Sequence, residues 1–512
     1  MRVKRSDKVV VVGAGIGGLV CALQLARQGL DVTVCEKADM LGGKIRTVDV
    51  NGQAVDSGPT VFTMRWVFEQ IFADAGTTLN DHLTLTPATI LARHAWPSGG
   101  RLDLHADIDQ SAEAIAEFAG WAEGKAYLDF CARARATYET LEKPFILSPQ
   151  PSPASLAFGA GLRGLGDLWR ISPFTTLWQA LSGHFQDPRL RQLFGRYATY
   201  CGSSPFECPA TLMLVAHVEQ DGVWLVDGGM HRLAAAVEQL AVKAGAIFRY
   251  RSCVRSIETQ RGSASGVTLE NGERLDADAV VVNADPAAVA DGLLGPDVRR
   301  AAYAGRASRS LSAVTWSMTA NVRGFPLARH NVFFSSDYQA EFEDIFHRDR
   351  LPREPTVYVC AQDRGEAPLR PSEPERLLVL INAPPIGDQH PFDTEEVDQC
   401  AHRTFDLLRR CGLELTSRDQ ITTTPADFNR LFPGTGGALY GPASHGWTAS
   451  FSRPTARTPV PRLYLAGGST HPGPGVPMAA LSGRMAAARV LRDLASTRRS
   501  HPAATSGGTS TR

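Results

Sequence analysis

The chain has 512 residues, with 53 Lys and Arg set against 53 Asp and Glu, so its formal net charge is zero. That balance, with 43% hydrophobic and 21% charged residues, describes an ordinary globular protein of two or three lobes and gives no footing for a nucleic-acid partner. Nine dispersed cysteines without a Cys-x-x-Cys pair, and thirteen histidines without metal-ligand spacing, argue for a reducing, cytoplasmic setting and against a disulfide framework or a metal site.

Val9 to Val12 form a β-branched run suited to a central parallel strand. The run enters Gly13-Ala14-Gly15-Ile16-Gly17-Gly18, where Gly13, Gly15 and Gly18 stand at G-x-G-x-x-G spacing. The first glycine permits a tight turn, the second lets backbone approach a phosphate, and the third lets the next helix pack closely on the strand. A helix over 19–28 aims its positive end at that anion, and Gly29 caps it. A second strand, over 32–35, ends at Glu36-Lys37, about twenty residues beyond the turn, where a carboxylate accepts hydrogen bonds from a ribose diol. The order strand, turn, helix, strand and acid predicts a dinucleotide-binding unit. The basic start followed by apolar residues has the outline of a signal peptide, but glycines interrupt it and valines make it a strand.

Two glycine-bearing loops follow, Gly42-Gly43-Lys44 and Asp56-Ser57-Gly58-Pro59-Thr60. Residues 65–145 read mainly as helices, with Trp66, Val67, Phe68, Ile71 and Phe72 on one apolar face. Residues 151–185 are crowded with Leu, Phe and Trp and carry few charges; Pro173 excludes a single spanning helix. They fit either buried helices of a second lobe or an amphipathic surface that meets a bilayer. Asp227-Gly228-Gly229-Met230 then opens a helical pattern over 233–241, followed by strands over 247–250, 254–259 and 279–283. Residues 311–385 are strand-rich. Leu463-Tyr464-Leu465-Ala466-Gly467-Gly468 is a further strand-to-glycine signal, with a helix over 479–494 behind it. The end, rich in Ser, Thr, Gly and Pro, is expected to be disordered.

The glycine turn alone does not separate NAD from FAD. Nucleotide-domain pieces near the start, middle and end of the chain, the early Gly42-Gly43-Lys44 loop and the C-terminal glycines before a helix all favour FAD. The expected architecture is α/β, a Rossmann-like split FAD-binding domain with a mixed-sheet substrate domain and a helical, membrane-associating lobe. Its segments are residues 1–75, 223–305 and 431–495 for FAD, 76–222 for the helical lobe, 306–430 for the substrate sheet, and a tail over 496–512.

Ala466-Gly467-Gly468-Ser469-Thr470-His471-Pro472-Gly473-Pro474-Gly475-Val476-Pro477 closely resembles the C-terminal signature of bacterial-type carotenoid desaturases. Arg196-Tyr197-Ala198-Thr199-Tyr200-Cys201-Gly202-Ser203-Ser204-Pro205 resembles their mid-chain motif. With the N-terminal turn, the likeness runs to about residue 495. Val223 to Met230, Asn331 to Ser335 and Phe432 to Gly441 look most like the 1-hydroxycarotenoid 3,4-desaturases, the hydroxyneurosporene or methoxyneurosporene desaturases. Phytoene desaturases tend to carry Phe-Pro-x-Gly-Gly where this chain has Val226-Asp227-Gly228-Gly229.

The resemblance implies an FAD enzyme that introduces the C-3,4 double bond into an acyclic 1-hydroxy- or 1-methoxycarotenoid. Phytoene or neurosporene desaturation, carotene isomerisation, amine oxidation and isoprenoid-lipid binding are the alternatives on the same scaffold. It implies that Gly13, Ala14, Gly15, Ile16, Gly17 and Gly18 surround the pyrophosphate, with Glu36 and Lys37 at the adenosine ribose and the Val254 backbone near adenine. Gly43, Lys44, Gly58, Pro59 and Thr60 would approach the flavin. Gly467 and Gly468 would meet ribityl or phosphate oxygens, and Val476, Pro477 and Met478 would close over the isoalloxazine. Many related flavoproteins carry an acid near the position of Gly468, and this chain does not. An apolar polyene substrate implies a peripheral contact with the membrane surface, and oxygen or a quinone as the electron acceptor. His471, a loop histidine beside prolines, reads as structural, Asp56 is a weaker polar candidate, and no residue is assigned as catalytic base.

Overall fold

The computed structural model describes residues 6–152, 174–302, 308–365 and 374–500. The valine strand, Lys8–Val12, lies at the centre of a five-stranded parallel sheet ordered Leu463–Leu465, Ala279–Val282, Lys8–Val12, Asp31–Cys35, Ile247–Arg249. That central position explains why its valines do not alternate with polar residues. Val9 and Val11 face one apolar cluster and Val10 and Val12 face another, because successive side chains point to opposite faces.

On the first face the helix Ile16–Arg27 packs against His231–Lys243 and Val476–Ser500. The crossing with the terminal helix is close: a Cβ on Gly483 would lie 2.2 Å from the Gly17 carbonyl oxygen. On the second face lies the antiparallel sheet Val254–Gln260, Ser263–Leu269, Arg274–Asp276. Strands from the beginning, middle and end of the chain therefore build one nucleotide unit, as the scattered glycine signals predict.

A second, mixed sheet has seven strands in the order Leu413–Thr423, Ser312–Gly324, Glu375–Ala383, Val357–Ala361, His330–Phe333, Ile90–Ala95, Arg101–His105. Only the His330–Phe333 and Ile90–Ala95 pair is parallel. Here the structure corrects the sequence reading. The interval expected to be mainly helical over 65–145, and the helical lobe drawn over 76–222, contain the strands Leu85–Pro87, Ile90–Ala95 and Arg101–His105. The last two form a hairpin around Pro97-Ser98-Gly99-Gly100, with Gly99 and Gly100 at φ 96° and 98°. That turn chemistry is a hairpin signal, outweighed in the sequence by the helical periodicity on either side.

The helices Trp121–Leu141, Leu177–His184, Pro188–Gly195 and Leu214–Gln220 share a core with this edge of the sheet. Residues 153–173, which hold most of the stretch expected to meet a bilayer, lie outside the described residues. Of the remainder, Leu177 and Leu181 are buried core, whereas Phe174 is exposed. No helix among the described residues is long and apolar enough to cross a membrane. The terminal helix runs to Ser500, past Ser496 where a disordered tail was expected; no Gly or Pro interrupts the sequence between Gly483 and Pro502.

Candidate functional site

The Gly13–Gly18 turn sits above the end of the parallel sheet. Gly13 has φ 100°, and a Cβ there would lie 2.8 Å from the Asn283 carbonyl oxygen. A Cβ on Gly18 would come within 2.2 Å of the Gly13 carbonyl oxygen. Gly15 is the N-cap of Ile16–Arg27 and offers no side-chain acceptor, so the first N–H groups of that helix are left for an external anion. Ala14 and Ile16 are buried under the turn. The Ala14 N–H donates to Glu36 Oε2 (2.7 Å) and the Ala38 N–H to Oε1 (2.9 Å). A carboxylate has about four lone-pair sites, so these two bonds leave acceptors for a ribose diol. The donor-rich turn, the space reserved by glycine and the acid at its rim fit the ADP half of FAD.

Two further positions resolve differently. Val254 packs in one cluster with Val12 and Cys35, and the nearby Ser252 N–H donates to the Glu36 carbonyl (2.8 Å), so this strand begins beside the acid. The Lys37 side chain leads away instead, its Nζ donating to the Arg430 carbonyl (3.0 Å). Burial lowers the Lys37 pKa. Only the backbone of Lys37 remains next to Glu36.

The second group of predicted residues closes around the other end. The Gly42 N–H donates to the Ala14 carbonyl (2.9 Å), and a Cβ on Gly43 would lie 3.1 Å from the Gly15 Cα. Lys44 is held by the Leu439 carbonyl (2.5 Å) and lies over the Phe432 ring, 5.4 Å from its centroid. Burial lowers its pKa, opposed by the charge of Asp285. Gly58 is required because a Cβ would lie 2.0 Å from the Lys44 carbonyl oxygen. Beyond Pro59, the Thr60 and Tyr358 hydroxyls are 2.7 Å apart, and Tyr358 OH is 2.7 Å from His330 Nδ1. Gly467, at φ 121°, faces Asn283 Nδ2, while nothing approaches a Cβ on Gly468 closer than 3.8 Å.

Several members of this site escaped the sequence reading. Asn283 follows the strand Ala279–Val282, and its Nδ2 donates to the Ala466 carbonyl (3.1 Å), tying the two glycine turns together. The Ser469 hydroxyl donates to Asp285 Oδ2 (2.6 Å). An acid therefore does stand beside Gly468-Ser469, but it comes from the middle segment of the chain. Arg453 is buried and donates to the Tyr440 (3.0 Å) and Pro442 (2.7 Å) carbonyls; burial pushes its pKa down to about 10. The signal for the first two was a valine strand ending in Asn283-Ala284-Asp285-Pro286, level with the end of the first strand. Arg453 had none.

His471 is buried, and its Nε2 lies 2.8 Å from the Ser148 carbonyl, to which it donates. Burial pushes its pKa down to about 4. It ties the C-terminal glycine loop to residues 145–148. Asp56 is also structural: it accepts from the Met230 N–H (2.8 Å) at the start of His231–Lys243, and a Cβ on Gly229 would lie 2.4 Å from its carboxylate.

A cavity of about 610 Å³ extends from these loops. Gly58, Pro59 and Thr60 line it on one side, and Val476, Pro477 and Met478, the first turn of the terminal helix, line it on another. The sheet contributes Val332, Leu378 and Leu380, and the helical layer adds Ile146, Leu212 and Val215. Phe174 and Trp447 also line it; they are 66% and 46% exposed, with ring centroids 5.4 Å apart, and so mark an apolar mouth. The cavity can hold a long apolar molecule with one part against the glycine-bearing loops and the rest reaching toward the surface.

Residues 16–491 match the family model described as flavin containing amine oxidoreductase. The chain is 56% identical over 512 residues to a hydroxyneurosporene desaturase of Rubrivivax gelatinosus, covering 99% of this chain and 98% of the relative. It is 45% identical to one from Cereibacter sphaeroides, over 96% of this chain and 98% of that one. Among solved structures, a putrescine oxidase variant aligns with a TM-score of 0.61 at 14% identity, over 96% of this chain and 99% of that one. An oxidoreductase from Methanosarcina mazei aligns at 0.58 and 16%, over 93% and 99%; at such identities the likeness speaks for the fold alone. The chain belongs to the flavin containing amine oxidoreductase family, with FAD as its cofactor, and within that family it groups with the hydroxyneurosporene desaturases.

Proposed function

We propose that this enzyme introduces the C-3,4 double bond into acyclic 1-hydroxy- or 1-methoxycarotenoids. The observation that carries the reading is the apolar cavity, lined by the exposed rings of Phe174 and Trp447 and by Gly58–Thr60 and Val476–Met478. Its support in sequence is the identity to three proteins named hydroxyneurosporene desaturase.

Desaturation removes a hydride from one carbon and a proton from its neighbour, breaking two C–H bonds and forming one C=C bond. When bound, FAD supplies the two-electron acceptor for this step. The protein's part is positional. Gly13–Gly18, Glu36 and the Val254 backbone would hold the nucleotide end, while Gly43, Lys44, Gly58–Thr60, Gly467 and Gly468 would hold the flavin end. Val476, Pro477 and Met478 would close over the isoalloxazine, and the apolar walls would keep water from the reacting carbons. The exposed aromatic mouth suits a peripheral position on a membrane, from which an insoluble polyene is drawn.

Purified protein, FAD and 1-hydroxyneurosporene in liposomes should give a red-shifted product lighter by two hydrogens. Running neurosporene and phytoene in parallel, with oxygen or with a quinone under nitrogen, identifies the substrate and the acceptor together. A flavin-loaded enzyme that leaves 1-hydroxyneurosporene unchanged under both acceptors rejects the reading.

A further inference from the structure

The cavity lining is mainly apolar but carries polar side chains, among them Arg453, Asn382 and Tyr358 and a cluster around Arg196. Arg196, Tyr200 and Glu219 all border the cavity. Arg196 is 8% exposed, and Glu219 is buried as well. Arg196 Nη2 donates to the Tyr200 hydroxyl (2.7 Å), which in turn donates to Glu219 Oε1 (3.0 Å); Tyr197 OH donates to the other carboxylate oxygen. The guanidinium also lies over the Tyr200 ring, 4.9 Å from its centroid. Burial of this kind is costly unless the donors are used. A guanidinium carries five N–H donors, yet among the described residues Arg196 makes this one hydrogen bond, and its Nε is buried without a partner.

We infer that Arg196, held by Tyr200 and Glu219, is the specificity anchor that donates to the oxygen on C1 of the substrate. The inference rests on the substrate class proposed above. A buried guanidinium with unused donors at the cavity wall calls for an oxygen acceptor on the molecule that fills the cavity. A guanidinium donates and never accepts, so a hydroxyl and a methoxyl oxygen both satisfy it. The location also fits the chemistry. C1 is two bonds from C3, so its anchor must stand beside the place where the C3–C4 bond reacts. Arg196 lines the same cavity as Thr60 and Tyr358, whose hydroxyls meet at the flavin-end loop. The oxygenated end thus lies at the inner end of the cavity, and the unreacted polyene points outward.

The test measures binding as well as turnover. Dissociation constants of 1-hydroxyneurosporene and neurosporene for the FAD-loaded enzyme are read from polyene absorbance under nitrogen, for wild type, Arg196→Met, Arg196→Lys and Tyr200→Phe. Wild type should prefer the hydroxylated polyene by about thirtyfold, the worth of one hydrogen bond from a charged donor. Arg196→Met should bring that ratio to within about threefold of one, and Arg196→Lys should restore part of it. Tyr200→Phe, which leaves the cation in place but unheld, should give an intermediate ratio and covers the case in which Arg196→Met does not fold. A wild-type ratio near one, or an unchanged ratio in Arg196→Met or Tyr200→Phe enzyme that keeps its flavin absorbance, overturns the anchor. A preserved binding preference without turnover would reject the desaturation reading and leave the anchor standing.

Discussion

The nucleotide cradle and the apolar cavity meet at Val476–Met478 but are built in opposite ways. The cradle is mostly backbone. Its specific residues are glycines that keep side chains out and expose N–H groups, with one carboxylate at the rim. The cavity is almost wholly side chain, drawn from the seven-stranded sheet, the helical layer and the loops around Tyr440 and Trp447. A backbone site needs residues at fixed short spacing, so it leaves a trace in the sequence. A side-chain cavity needs only apolar volume from distant elements, and any core leaves that trace.

Five expected outcomes bear on this contrast. The largest is Gly18→Ala. Its Cβ would collide with a backbone carbonyl that cannot turn aside, so FAD affinity should fall about a hundredfold, ~3 kcal/mol, as measured by flavin fluorescence titration. Retained affinity would mean that the cradle is more pliable than its glycines suggest.

Acid should act next, and on the cavity side. Burial holds His94 and His330, both on the seven-stranded sheet, down at about 3. In the unfolded chain they take up protons near their ordinary value of 6.5, so between those limits the unfolded state binds more protons. Stability should therefore fall as pH drops below about 6.5, by at most ~1.4 kcal/mol per unit for each histidine. Buried Glu341, pushed up to about 7, works the other way. The native state holds its proton between about 4.5 and 7, so this group adds stability as pH falls through that window. One carboxyl does not offset two histidines, and thermal unfolding between pH 4 and pH 8 should show the net loss. Glu341→Gln should steepen the acid limb.

Smaller effects follow at the seam and the mouth. Tyr358→Phe removes the hydroxyl shared by Thr60 and His330 and should cost ~1 to 2 kcal/mol in denaturant unfolding. Trp447→Ser should slow uptake of substrate from vesicles about threefold, with no such change for detergent-dispersed substrate. Equal effects in both media would place Trp447 in cavity packing, with no role at a membrane.

Legibility in the sequence divides along the same line. The first strand, the glycine turn, Glu36 and the terminal helix could be read because strand, turn and helix periodicities succeed one another without a break. The three-segment parallel sheet was legible from its valine and glycine signals. The hairpin over Ile90–His105 was missed because its short strands lie between strongly helical stretches, and its pairing with His330–Phe333 is a tertiary choice. Asn283 and Asp285 were visible only as a polar turn, since their purpose depends on Ala466 and Ser469, which are distant in the chain. Arg196 lay inside a motif whose resemblance was plain and whose chemistry was not, because the carboxylate of Glu219 that holds its partner Tyr200 belongs to another helix.

The parallel sheet also fixes an order of events during synthesis. Its edge strand, Leu463–Leu465, and the helix that begins at Val476 come from the last part of the chain. A nascent chain carries Gly13 to Gly18 and Glu36 from the outset, but lacks one wall of the cradle until the C-terminal segment leaves the ribosome. The seven-stranded sheet ends at Thr423 and has a core of its own, so it can form first. Flavin capture is then expected late in maturation. A chain cut short before Leu463 would have its cavity sheet complete and nothing to oxidise with.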